Sequence, residues 1–199
     1  MGSSASTPEY GQHGRQIGNQ SEYQGKLYPL AVLCSTLLFG TEYFADYPAH
    51  PFAESGKRIL YQMIQSLRNQ DEQALLEAAV SLVGFGSGLT PTGDDILTGF
   101  LAVNALLGPE WIGATFPSEL ITKAAEQTNP ISFTYLKLAS MGNISTLLFE
   151  VIESACRCEY RIFTDNLLRL ISWGSSSGVD TAVGAVLSLA AVVLYATHP

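Results

Sequence analysis

The stretch Gly84-Phe-Gly-Ser-Gly-Leu-Thr-Pro-Thr-Gly-Asp-Asp95 leads from a glycine-rich loop into an apolar segment, and its second half recurs later in the chain. Thr92-Gly-Asp-Asp95 followed by Gly99 matches Ser177-Gly-Val-Asp180 followed by Gly184. Both have a hydroxyl residue, a glycine, any residue, an aspartate and a glycine four positions further on. A hydroxyl residue with a carboxylate three positions later is typical of a helix N-terminus. Both stretches therefore predict a loop that opens a helix.

The later glycine of each motif predicts how the two helices meet. Gly99 and Gly184 lie about one helical turn beyond Asp95 and Asp180, on the same helix face. A residue without a Cβ atom allows two helix backbones to approach closely. We therefore predict that the two motif helices cross near Gly99 and Gly184, with both N-termini at one cleft.

The rest of the chain carries helical patterns. Apolar residues at the three-and-four spacing of an amphipathic helix occur first at Ile59, Leu60, Met63, Ile64 and Leu67. Similar segments follow, separated by Gly, Pro and Asn, and no alternation of period two occurs after residue 50. These patterns predict an all-α fold, a single bundle of roughly seven to nine helices that includes the two repeated loop–helix motifs.

Two asparagines and the chain length complete the prediction of organisation. Asn69 and Asn143 precede helical patterns, and we expect each to cap a helix. A chain of 199 residues supports one sizeable core, which predicts one domain. Residues 1–24 are rich in Ser, Gly and Gln and predict a disordered or loosely packed arm before a helical domain at 25–199.

Composition and charge exclude several classes of partner. The net charge is -8, from 18 acidic and 10 basic residues, and no cluster of Lys or Arg could bind a phosphate backbone, so we expect no nucleic-acid partner. The longest apolar run, 179–196, is interrupted by Asp180 and Gly184 and predicts a buried helix rather than a membrane span. Three cysteines at this spacing predict no disulfide framework, which indicates the cytoplasm. An apolar content of 47% favours an oligomer or a partner subunit.

The glycine-rich loop is the candidate binding site. Several backbone N–H groups brought together before a helix can hold a phosphate or a carboxylate, so we expect a small anionic substrate here. A third polar patch, residues 128–132, lies at another helix junction. The alternative is that these residues only cap helices and shape turns. The predicted substrate-binding residues are Gly86, Gly88, Thr90, Thr92, Gly93, Asn129, Ser132, Ser177 and Gly178.

Three aspartates are the candidates for acid–base catalysis or metal binding. The only histidines are His13, His50 and His198, outside the predicted helical core, so a nucleophile–histidine couple and a histidine metal site are disfavoured. The predicted catalytic residues are Asp94, Asp95 and Asp180. Adjacent carboxylates repel an anion unless a divalent cation lies between them or one carboxylate orients an amide. We expect no cofactor and no metal site, with Mg²⁺ as the open alternative.

The glycine loop and its continuation through Leu97 and Gly99 resemble the signature of the bacterial AllH-type family, which is associated with allantoin degradation. Residues 176–180 with Gly184, and the patch at 128–132, are similar to that family's pattern as well. The resemblance implies a subunit of oxamate carbamoyltransferase, which interconverts oxalurate and phosphate with oxamate and carbamoyl phosphate, working with FdrA-like partner subunits. It implies roles for Gly86, Gly88, Thr90, Thr92, Gly93, Asp94, Asp95, Ser177, Gly178 and Asp180.

Two other functions stay open. Asp180-Thr181 entering an alanine-rich helix loosely resembles the ADP-ribosylglycohydrolases, which implies a helical, Mg²⁺-dependent hydrolase as an alternative. A non-catalytic scaffold subunit with a purely structural loop is the third possibility.

Overall fold

The computed structural model describes residues 53–107 and 112–196, and eight helices form this part of the chain. No strand occurs within these residues, which confirms the predicted all-α class. The predictions for residues 1–24, for the start of the helical domain at 25 and for the three histidines lie outside the described residues. The helices are α1 (Ala53–Asn69), α2 (Glu72–Leu82), α3 (Thr92–Leu107), α4 (Phe116–Ala124), α5 (Pro130–Ser140), α6 (Thr146–Cys156), α7 (Tyr160–Ile171) and α8 (Ser177–Ala196).

Two helices begin two residues later than their asparagines predict. Asn69 is the last residue of α1, and the N-cap of α2 is Asp71, whose Oδ1 accepts a hydrogen bond of 2.9 Å from the N–H of Ala74. The N-cap of α6 is Ser145, whose Oγ accepts a hydrogen bond of 3.2 Å from the N–H of Leu148. In both caps the side chain accepts a hydrogen bond from a backbone N–H that has no partner within its helix.

The core is built around the pair α3 and α8, which pack against each other along their length. α5 covers another side of α3, while α7 packs against α8. Two further pairs are α1 with α2 and α6 with α7, and α4 packs against α2 and α5. The centre of α3 is entirely buried at Leu97, Phe100 and Leu101, so the helix that follows the glycine-rich loop is fixed in the middle of the core.

α3 and α8 touch backbone to backbone at the two glycines of the motifs. A Cβ atom at Gly99 would lie 2.0 Å from the carbonyl oxygen of Thr181, and one at Gly184 would lie 1.8 Å from that of Ile96. Thr181 lies three positions before Gly184, and Ile96 lies three positions before Gly99. The two glycines therefore make equivalent contacts in the two motifs. The structure thus brings the helices together where the spacing predicts, and no larger residue fits at either position.

The first turns of α3 and α8 also make matching contacts. A Cβ atom at Gly93 would lie 1.9 Å from the carbonyl oxygen of Leu82, and one at Gly178 would lie 1.9 Å from that of Leu170. The N–H of Gly93 donates to Phe85 O at 2.8 Å, and the N–H of Gly178 donates to Trp173 O at 3.1 Å. Each motif helix therefore begins tightly packed against the end of the helix that precedes it.

No helix in residues 53–107 or 112–196 has the length and apolar character that crossing a bilayer requires. The most apolar helix, α8, faces protein instead, with Leu187, Leu189 and Ala190 buried.

Candidate functional site

The three polar segments predicted from the sequence meet at the start of α3. The hydroxyl oxygens of Thr90 and Ser177 lie 3.0 Å apart, which joins the loop before α3 to the first turn of α8. The hydroxyl of Thr128 donates a hydrogen bond to Oδ2 of Asp94, which joins the segment before α5 to α3. The two motifs and the third patch are therefore neighbours in space.

Asp94 has both carboxylate oxygens occupied. Its Oδ1 accepts a hydrogen bond of 2.8 Å from the N–H of Gly84, and its Oδ2 accepts from Thr128. Only 1% of the residue is exposed. A buried carboxylate bonded in this way fixes the groups that donate to it. Asp94 therefore ties the start of the glycine-rich loop and the start of α5 to α3.

Asp95 is buried as well, with 8% of the residue exposed, but one of its oxygens has no partner among the described residues. The hydroxyls of Ser177 and Thr90 hydrogen-bond to its carboxylate, whereas Oδ2 has no partner in the described part of the chain. Burial raises the pKa of Asp95 to about 6, helped by repulsion from Asp180 and Asp94 and opposed by the bonds from Ser177 and Thr90. Asp95 thus changes charge close to neutral pH.

Asp180 lies in the first turn of α8 and is 3% exposed. Its charge contributes to the raised pKa of Asp95, so the carboxylates of Asp180 in α8 and Asp95 in α3 lie close enough to repel each other. The three predicted catalytic aspartates thus lie together at the paired N-termini of these two helices.

The glycine-rich loop is held at both ends. Gly84, Gly86 and Gly88 have φ angles of 68°, 117° and 96°, which favour glycine strongly over other residues. The N–H of Gly84 is bonded to Asp94, while the carbonyl of Leu89 accepts from Asn129 Nδ2 at 3.0 Å and from Ser132 Oγ at 3.3 Å.

The middle of the loop offers hydrogen-bond donors. After the first anchor, none of the backbone N–H groups of residues 86–90 donates a hydrogen bond to another described residue. The Cβ position of Gly88 faces open space. Successive backbone N–H groups on a loop that is held in place can bind an anion by donating hydrogen bonds to it.

Several of the predicted substrate-binding residues have structural roles that are visible here. The N–H groups of Gly93 and Gly178 are taken by the preceding loops, as described above. Asn129 caps α5, because its Oδ1 accepts from the N–H groups of Ile131 and Ser132. Gly86 leaves room for the backbone of Thr92, whose nitrogen would lie 2.8 Å from a Cβ atom. These residues shape and hold the loop, whether or not a ligand is bound.

The alternative view of Ser177 as the cap of its own helix fits the structure less well. Its Oγ lies at hydrogen-bond distance from Thr90, in the other motif. The first backbone turn of α8 is closed instead by the N–H of Asp180, which donates to Ser176 O at 2.9 Å. At α3, the N–H groups of Asp94 and Asp95 both donate to Pro91 O. The first turn of α3 thus begins at Pro91 and that of α8 at Ser176, in each case one residue before the hydroxyl residue of the motif.

Two groups at the site were not predicted. Thr128 belongs to the third polar patch, and its position beside Asn129 is the signal that could have singled it out. The carbonyl of Leu89 holds two side chains, but a main-chain oxygen leaves no trace in a sequence. As for metals, no three His, Cys, Asp or Glu side chains among the described residues form a group that could hold an ion.

Comparison with known proteins assigns the family. No solved structure matches the chain. The model of a family described as oxamate carbamoyltransferase subunit AllH matches residues 82–189, which contain the glycine-rich loop, the patch before α5 and the start of α8. That match spans more than half of the 199 residues, and the protein therefore belongs to the AllH family.

Proposed function

We propose that the protein is a carbamoyltransferase subunit that binds a small anionic substrate between the glycine-rich loop and the first turn of α8. The family description supports the reaction class. Oxamate and carbamoyl phosphate are the substrates that this class suggests, and each carries an anionic group and an amide nitrogen.

The observation that carries the proposal is the carboxylate of Asp95. It is buried, it lies in the same cluster as Thr90 of the loop, and its Oδ2 has no partner among the described residues. A buried polar atom without a partner costs about 1–3 kcal/mol, so such an atom needs an explanation. A ligand that bonds to it is the explanation we favour, because the neighbouring N–H groups of residues 86–90 are unused as well.

The two sets of groups complement the expected ligands. Backbone N–H groups donate, which suits the phosphate or carboxylate of the substrate, and carboxylates accept, which suits its amide nitrogen. In this proposal the loop holds the anion, and the ligand lies beside Asp95 and Asp180. Asp94 and Thr128 hold the loop in place from one side, and Asn129 and Ser132 from the other.

An assembly with FdrA-like subunits, or with further copies of this chain, would complete the active enzyme. α5 begins at the site and carries Ile131, Tyr135 and Leu138 on its surface, all exposed. Their spacing places them on one side of the helix, and exposed apolar side chains of this kind support contact with another subunit.

Calorimetry on the full chain tests the proposal with phosphate, oxamate and carbamoyl phosphate, each with and without Mg²⁺. We expect saturable binding of at least one of them, and weaker binding after Ser177→Ala, which removes a hydroxyl from the cluster. Asp165→Asn is the matched control, because Asp165 is exposed on α7 and should leave binding unchanged. Absence of binding for all three ligands, with the partner subunits supplied, would overturn the proposal.

A further inference from the structure

Asp95 poses an electrostatic problem for any anion bound beside it. Two more carboxylates, Asp94 and Asp180, act on it, and no group of metal-binding side chains is formed in the described part of the chain. An anion brought to this place meets three acidic groups, and like charges at short range disfavour ionisation of at least one of them. The loop N–H groups alone do not remove that repulsion.

The surroundings of Asp95 identify it as the group that becomes neutral. Asp94 accepts a hydrogen bond on each carboxylate oxygen, from the N–H of Gly84 and from the hydroxyl of Thr128. Asp95 receives hydroxyl hydrogen bonds from Ser177 and Thr90 only, and Oδ2 receives none from the described residues. An ionised oxygen in that position lacks a donor, whereas a protonated one could itself donate to a ligand.

We infer that Asp95 meets the bound oxyanion as a neutral carboxylic acid that donates a hydrogen bond from Oδ2, so that binding takes up one proton from solvent. The inference rests on the proposed function. It assigns Asp95 to the anionic end of the substrate and leaves Asp180 to face the amide nitrogen. The pKa of Asp95, already raised to about 6 by burial, would rise further beside an anion.

Asp180 and Asp94 are the charged groups among the described residues that act on Asp95. From α8 the charged group that acts on Asp95 is Asp180, and from its own helix it is Asp94. α5 carries Lys137, on its exposed side, and exposed Tyr135, while α2 carries Glu72 and Glu77; none of them acts on Asp95. The segments next to Thr90, Thr128 and Ser177 contribute hydroxyl and backbone groups to the site.

Calorimetry with oxamate and with sulfate tests the inference, because neither ion changes charge between pH 5 and 8. Binding is measured at each pH in two buffers of different ionisation enthalpy, which gives the number of protons exchanged. We expect uptake close to one proton per site near pH 8. We also expect a dissociation constant that rises about tenfold per pH unit above the pKa of free Asp95.

Two variants and one direct measurement separate the outcomes. Asp95→Asn should bind without proton uptake and without pH dependence, whereas Asp180→Asn should still take up a proton. The ¹³C shift of the Asp95 carboxyl in the wild-type chain, saturated with oxamate, should remain that of the acid above pH 7. Binding without proton uptake, or a carboxylate shift in the complex, overturns the inference and leaves the proposed function standing. No binding of either ion at any pH overturns the inference, and the proposed function falls as well if phosphate and carbamoyl phosphate also fail to bind with the partner subunits supplied.

Discussion

The hydroxyl groups of Thr90 and Ser177 lie 3.0 Å apart, although 87 positions separate them in the chain. Each hydroxyl also bonds to Asp95, so the pair joins the two motifs around one buried carboxylate. The close approach of α3 and α8 at Gly99 and Gly184 is what brings them together. The properties of Asp95 therefore depend on groups from both motifs, and this dependence can be measured.

The pKa of Asp95 should move in opposite directions in two variants. Ser177→Ala removes a hydrogen bond to the carboxylate and should raise the pKa above about 6. Asp180→Asn removes a neighbouring negative charge and should lower it. A ¹³C titration of the side-chain carboxyl measures both. Shifts of the same sign in the two variants would contradict the arrangement described here.

The same carboxyl group should make stability depend on pH with a defined sign. Because the pKa is raised from 3.8 to about 6 on folding, the native state binds the proton more tightly than the unfolded chain. The stability that this group contributes is present below pH 4 and is lost as the pH rises through 6. Asp95→Asn removes this loss, so the variant should gain stability relative to wild type between pH 4 and pH 7. Urea unfolding at several pH values measures the difference, and a constant difference would contradict the raised pKa.

Gly184→Ala should destabilise the protein. The new Cβ atom would lie 1.8 Å from the carbonyl oxygen of Ile96, so α3 and α8 must move apart. Overpacking of this kind costs about 1–3 kcal/mol or more, which exceeds the gain of about 1 kcal/mol from the higher helix propensity of alanine. Denaturant unfolding measures the change.

Gly56→Ala is the matched control within α1. Its Cβ atom would meet only the ring of Phe85, with Cε1 at 3.2 Å and Cζ at 3.6 Å, and this side chain can shift. Stability should stay the same or rise by up to about 1 kcal/mol. Equal effects of the two substitutions would mean that the contact between α3 and α8 is not as tight as described.

The sequence predicts the helical class and the contact between α3 and α8 because both depend on side-chain pattern. Apolar spacing gives the helices, and Gly99 and Gly184 report the absence of a side chain where two backbones touch. The helix starts near Asn69 and Asn143 were wrong by two residues. In each case a second capping residue, Asp71 or Ser145, follows closely and forms the hydrogen bond instead. Local pattern alone does not choose between two good caps.

The candidate site was predictable in its parts but not in how they are bonded. The three polar segments were identified separately, and only the tertiary packing of α3, α5 and α8 shows that they meet. Asp94 and Asp95 look equivalent in the sequence, yet both oxygens of Asp94 accept hydrogen bonds, whereas Oδ2 of Asp95 has no partner among the described residues. The difference arises from the main-chain N–H of Gly84 and from Thr128, and neither partner can be assigned from spacing.

Ser188→Ala should leave stability unchanged or increase it. Ser188 is fully buried in α8, and its hydroxyl has no partner among the described residues. Removing a buried, unbonded hydroxyl removes its desolvation cost, about 1–3 kcal/mol at most. Ser154→Ala is the control, because that buried hydroxyl donates to Glu150 O at 2.6 Å and its loss should be neutral or destabilising. Thermal and denaturant unfolding compare the two, and a destabilised Ser188→Ala would show that the hydroxyl has a partner.

The bond between Thr128 and Asp94 should appear as an energetic coupling. Thr128→Val removes the donor and keeps the shape, while Asp94→Asn replaces the carboxylate by an amide that keeps only one acceptor oxygen. Hydrogen bonds to charged groups contribute about 1.5–3 kcal/mol, so each single variant should lose stability. The double variant should lose less than the sum, because either change alone already breaks the bond.

Thr134→Val gives the matched cycle, since Thr134 lies on α5 and its hydroxyl donates only to Pro130 O of its own helix. Its effect should add to that of Asp94→Asn within about 0.5 kcal/mol. If the Thr128 and Asp94 substitutions were additive as well, the carboxylate would not hold the segment before α5. The segment before α5 would then be held to the glycine-rich loop by Asn129 and Ser132, through the carbonyl of Leu89.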